Sequence, residues 1–148
     1  MALATKVPPQ ARRLSFFTGD YNFLMERLPD KTSGAHNVGP ENQRQGAWAR
    51  LLPSGESIRL KAQDRFATSL KAGKVLVTYL DQAKKPGASL EISAGKLHTT
   101  VALKNTGRWQ TVVCKLPVGP LSAEAGGGNI KLTAGAGPVY LHMVEVER

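Results

Sequence analysis

From Pro53 onward the chain is cut into short pieces by turn-forming groups. PSGE, KAGK, AKKPG, SAGK, KNTG, PVGP and GAGP recur 10 to 18 residues apart, and each combines Gly with Pro, Ser, Asn or Lys. Pieces this short are poor helices, because an isolated helix needs about 12–15 residues to offset its nucleation cost. They suit strands, whose usual length is about 5–6 residues. The punctuation therefore constrains the fold to an antiparallel all-β sandwich or barrel.

The pieces themselves agree. KVLVTYLD at 74–81 is rich in β-branched and aromatic residues with little polarity on either face, which predicts a strand in the middle of a sheet. SIRLKA at 57–62, ASLEIS at 88–93 and LHTTVAL at 97–103 alternate apolar and polar residues, the period of a strand with one face buried. AWARLL at 47–52, RWQTVVCKL at 108–116, NIKLTA at 129–134 and VYLHMVEVE at 139–147 read the same way. LSFFT at 14–18 and YNFLM at 21–25 make a first strand and turn or a bulged edge hairpin. AWARLL and SIRLKA are expected to pair as a hairpin across PSGE. RFATSLK at 65–71 reads as one helical turn or an irregular crossover. The total is about nine short strands. Residues 1–13 are read as a flexible leader, 14–148 as one domain, and the polar stretch Pro29–Gln45 as a long loop.

Charge speaks to partners and not to fold. Twenty Lys and Arg against eleven Asp and Glu give a formal charge of +9. The cations are scattered singly, apart from Arg12–Arg13 and Lys84–Lys85, with no basic helix or aromatic-interleaved RNA motif, which argues against nucleic acid as the main partner. No apolar run approaches the roughly 20 residues of a membrane helix. Cys114 is the single cysteine, and alternation places it inward with Val112 and Leu116 as a small buried hydrophobe. The opening MALATKVPPQARRL has prolines where a signal peptide needs an apolar core, so either the protein stays inside the cell or this is a domain of a longer exported chain.

Three stretches carry a family resemblance: TGRWQTV at 106–112, YLHMVEV at 140–146, and YLDQAKKPGASLEIS at 79–93. The first is similar to the "tGgWqt" stretch, and the second to the closing "nlDwIEf" strand, of galactose-binding-domain-like β-sandwiches. The third is similar to the hairpin that follows a central strand in such domains. The chain thus resembles the carbohydrate-binding modules of families six and thirty-five that are appended to glycoside hydrolases, over roughly residues 55–148. The resemblance implies a jelly-roll sandwich that binds saccharide without altering it, attached to a catalytic domain in a longer extracellular or periplasmic chain.

It also implies roles for particular residues. Trp109 stands where the modules use a Trp as a stacking platform for the apolar face of a sugar ring. Tyr140 and His142 stand where the modules place a sugar-contacting Asn and a calcium-holding Asp. Imidazole is a poor ligand for a hard, oxygen-preferring cation, so no calcium and no other cofactor is assigned. Tyr140 and His142 share a strand face, where they can donate to hydroxyls or cover the sheet edge. Arg108, beside Trp109, has the planar fork that binds carboxylate or sulfate groups, and Trp48 and Asp81 complete the candidate ligand-binding set.

Catalytic readings find little support. His36, His98 and His142 lie in separate segments without metal-ligand spacing. There is no GxSxG, and GGGN at 126–129 precedes a strand instead of a helix, unlike a phosphate loop. No spacing pairs two carboxylates as a glycosidase requires. The expectation is a non-catalytic module for a polysaccharide, with the +9 charge favouring an acidic or sulfated one. The alternative is a sandwich that packs on a partner catalytic domain without binding sugar.

Overall fold

The computed structural model describes residues 13–17, 21–23, 25–30, 35–37, 48–83, 85–123 and 128–148. The leader expected over 1–13 lies outside these residues except for Arg13, which begins the first strand instead, and so does most of the loop expected over 29–45. The described residues form two antiparallel sheets packed face to face, with one short helix.

The first sheet runs β10 (Trp109–Lys115), β7 (Lys74–Leu80), β12 (Val139–Glu147), β1 (Arg13–Phe17) and β2 (Tyr21–Phe23). β5 (Trp48–Leu52) pairs with the first part of β12, and β4 (Ala35–Asn37) pairs with β5. The second sheet runs β3 (Met25–Arg27), β6 (Ser57–Ala62), β11 (Ile130–Ala134), β8 (Ser89–Ala94) and β9 (Leu97–Ala102). Every segment read as a strand after residue 53 is one, and β7 lies between β10 and β12, as its two apolar faces require. The sequence reading missed β4, inside the polar loop, and β3, at the end of YNFLM.

Two expected pairings do not form. β5 belongs to the first sheet and β6 to the second, so Pro53–Glu56 crosses between sheets instead of closing a hairpin. The same holds for β7 and β8, the pair suggested by YLDQAKKPGASLEIS. Alternation reports which face of a strand is buried but not which strand lies beside it. Successive strands here change sheets, so that each apolar face meets the opposite sheet. The β8–β9 connection is a true hairpin, and its Gly95 takes φ +59, a conformation costly for any residue with a Cβ.

The core lies between the sheets. Val75, Val77 and Tyr79 of β7 and Val139, Leu141, Val144 and Val146 of β12 face Ile58, Leu60, Leu90, Ile92, Ile130 and Leu132 of the second sheet. Phe66 and Ala67 of the helix α1 (Asp64–Ser69) join this core. The helix begins where the Gln63 side chain accepts from the Arg65 and Phe66 amides at 2.8 and 3.2 Å, satisfying donors that a helix start leaves open.

β12 contains an irregularity that its sequence demands. Val139 and Leu141 are in phase with each other, and so are Val144 and Val146, but the two pairs are out of phase by one residue. A β-bulge between Leu141 and Met143 absorbs the difference, with Leu141 opposite Tyr79 and Met143 opposite Thr78. His142 is the extra residue.

Candidate functional site

The loop that carries Arg108 and Trp109 is built around Asp81. The Asp81 carboxylate accepts from the Lys104 and Asn105 amides at 2.7 and 3.2 Å through Oδ1, and from the Thr106 amide and hydroxyl at 3.0 and 2.7 Å through Oδ2. Its own backbone closes the ring, donating to the Arg108 carbonyl at 2.9 Å and accepting from the Gly107 amide at 2.8 Å. Asn105 and Gly107 take φ +60 and +74 to bring these donors round. Burial alone would raise the Asp81 carboxyl, but the bonds from Thr106, Lys104 and Asn105 outweigh it and hold the group below its ordinary value. Asp81 is 2% exposed, and its side chain is fully engaged in holding the loop.

Trp109 leaves this loop onto the outer face of the first sheet, opposite Leu80. Tyr140 flanks Leu80 on its other side. The Trp109 and His142 rings meet at 5.0 Å between centroids, tilted by 50°. Their strands, β10 and β12, are two strand spacings apart, about 10 Å. The two rings therefore reach toward each other over β7. Leu80 is only 1% exposed although it points away from the core. The bulge supplies His142, itself 3% exposed, to this outer layer.

The candidate residues thus fall into groups. Arg108, Trp109, Tyr140 and His142 gather at one end of the outer face of the first sheet, with Arg108 exposed and Trp109 and Tyr140 partly so. Asp81 lies beneath them as the support of the loop. Trp48 begins β5, and its side chain is outside the described residues. A calcium ion of the kind the resemblance implies needs several converging oxygen donors. His142 packs on Trp109 and offers no oxygen to such an ion.

A second surface was not anticipated. On the outer face of the five-stranded sheet an open groove of about 560 Å³ is lined by Glu91, Ser93, His98, Thr100, Lys131 and Thr133. The pairing registers set these residues in two rows. His98, Ser93, Lys131 and Arg59 lie side by side across β9, β8, β11 and β6, and Thr100, Glu91, Thr133 and Ser57 form the next row. The Ser93 hydroxyl and His98 Nδ1 are 3.1 Å apart, and the Ser57 and Thr133 hydroxyls 2.8 Å. Donors, acceptors, a cation and a carboxylate thus line the groove, with Arg59 beside it at the end of the first row.

No family model and no curated protein matches the sequence. Solved structures do. The C-terminal family 6 carbohydrate-binding module of a marine laminarinase from Zobellia galactanivorans superimposes with a TM-score of 0.53 at 12% identity, over 92% of this chain and 99% of that one. This chain has the fold of a family 6 carbohydrate-binding module. The module from Cellvibrio mixtus lichenase 5A, in complex with cellotriose, matches with a TM-score of 0.48 and 16% identity over 90% of this chain and 95% of that one. A family GH115 4-O-methyl-α-glucuronidase with specificity for decorated arabinogalactans matches with a TM-score of 0.47 and 14% identity over 79% of this chain, which spans only 16% of that protein.

The module fold accounts for why the groove escaped notice. Each of its residues is an outward polar position on an alternating strand, which in the sequence is indistinguishable from ordinary solvated surface. Only the registers bring them together. The signal available was the clustering of hydroxyl and charged residues at the outward positions of three consecutive sheet neighbours, and it requires the strand order to be known.

Proposed function

We propose that the chain is a non-catalytic carbohydrate-binding module that holds a polysaccharide in the groove on its five-stranded sheet and serves as an accessory domain of a larger carbohydrate-active enzyme outside the cytoplasm. The observation that carries this reading is the groove itself. It is open along a sheet face, as a polymer requires, and its floor of hydroxyls, imidazole, ammonium and carboxylate matches the many donors and acceptors of a sugar chain. The fold shared with a module of a laminarinase supports the accessory role. The edge formed by Arg108, Trp109 and Tyr140 is a second contact for sugar, with Asp81 and His142 as positioning groups beneath it. A module of this kind works by adsorption, raising the effective concentration of an attached catalytic domain on its substrate.

Affinity electrophoresis against neutral, uronic and sulfated polysaccharides tests this. Retardation by at least one polymer is expected, with Thr133→Trp, which fills the groove, weakening it about tenfold or more, and Trp109→Ala weakening it less. Absence of retardation in every gel by protein with an intact circular dichroism spectrum would refute the reading. In that event the partner-packing sandwich stands, which the contact of Trp109 with His142 on the outer face already favours.

A further inference from the structure

The row His98–Ser93–Lys131–Arg59 is anomalous as plain surface. Arg59 and Lys131 are directly opposite each other across β6 and β11, on the outward face of both strands. Their Cβ atoms are therefore about 5 Å apart, and like charges in that relation destabilise a sheet. Among the described residues no carboxylate forms an ion pair with either. The carboxylates nearest by register belong to their neighbours: Glu26 stands opposite Lys61, and Glu91 lies in the adjacent row, opposite Thr133. A repulsive pair left standing beside an open groove is accounted for by a ligand that brings the missing negative charge.

We infer that the groove selects polysaccharides bearing a compact oxyanion, a uronate carboxylate or a sulfate ester, held between Arg59 and Lys131. The inference rests on the carbohydrate-binding reading and adds the class of glycan to it. Arg59 offers a planar fork that engages two oxygens at once, and Lys131 a point charge on the same group. Ser93, Thr100 and Thr133 take neighbouring hydroxyls, and Glu91 accepts from hydroxyls while repelling an anion placed on its side. The anion is thus confined to the Arg59 edge, which gives the bound chain a register.

Matched polymers separate charge from sugar. Polygalacturonate and its methyl ester have the same backbone with and without the charged carboxylate, and κ-carrageenan and desulfated κ-carrageenan supply the sulfated and neutral counterparts. The full chain is expected to bind an anionic polymer at least about tenfold more tightly than its neutral partner, and Arg59→Gln with Lys131→Gln to abolish that preference. Which acidic polymer is preferred assigns carboxylate or sulfate. The same double variant is expected to melt about 1–3 °C higher, because a like-charge pair has been removed. An equal loss on changing Lys71 and Lys115 to Gln, both exposed away from the groove, would reduce the effect to overall charge and overturn the inference. So would equal binding to acidic and neutral polymers unaffected by the double variant, with the carbohydrate reading intact. Failure of the folded protein to bind any polymer would overturn both, and tighter binding of duplex DNA through Arg59 and Lys131 would assign the row to nucleic acid.

Discussion

Asp81 joins residues that sequence separation hides from one another. Its partners lie 23 to 25 positions further along, and nothing at Asp81 itself distinguishes a loop anchor from a ligand contact. The sequence therefore located the residue but not its task. Because the folded-state carboxyl is depressed, its contribution to stability is present above the unfolded value of 3.8 and is lost as pH falls through the lower folded value. Asp81→Asn is expected to destabilise the protein by about 1–3 kcal/mol at neutral pH, since several donors lose a charged acceptor. The difference from the parent should shrink in acid. Denaturant titrations at neutral pH and at about pH 3 check both statements. Cys114 was read more completely, because burial is what alternation reports, and Tyr79 shares its environment. Both are core, and burial pushes the Cys114 thiol and the Tyr79 hydroxyl up, with Asp81 adding to the latter.

At the scale of elements, β12 is the case where pattern and structure meet most closely. Without His142 the strand would read Val139, Leu141, Val144 and Val146 in unbroken alternation, and its ladder with β7 would be regular. Deleting His142 is thus expected to leave the sheet folded, an unusual outcome for a central strand, where a one-residue slip normally turns the buried set outward. What the deletion should change is the outer layer. Trp109 loses its ring partner, so its fluorescence should move to the red while the circular dichroism of the sheet persists. Collapse of the sheet would show that the bulge, and not phase alone, holds the strand. Strand positions were legible because Gly and Pro punctuate them and apolar residues alternate. Sheet membership was not, because the β5–β6 and β7–β8 connections are built from the same kinds of turn residue, Gly with Pro, Ser or Lys, as the true β8–β9 hairpin.

For the molecule as a whole, charge and fold are nearly independent. Most of the buried side chains are apolar, and the charges that are buried, Arg50 and Asp81, are shielded from salt, so ionic strength should act on ligands more than on stability. Raising salt from about 0.05 to about 0.5 M is expected to weaken binding to an acidic polysaccharide at least about tenfold. The melting temperature should move by no more than about 3 °C over the same range. Parallel salt titrations of affinity and of melting check this. The sandwich was evident from turn spacing and from the resemblance of the Trp109 and β12 stretches, whereas the groove existed only once strands distant in sequence stood side by side.

The two surfaces look away from each other. The groove lies on the outer face of one sheet and the Trp109 edge on the outer face of the other, with the full thickness of the sandwich between them. A single rigid strand cannot follow both. A module occupied on both sides therefore holds two polymer strands at once and acts as a junction in a network, so that its valence, as much as its affinity, would govern how it behaves on a gel or a cell wall.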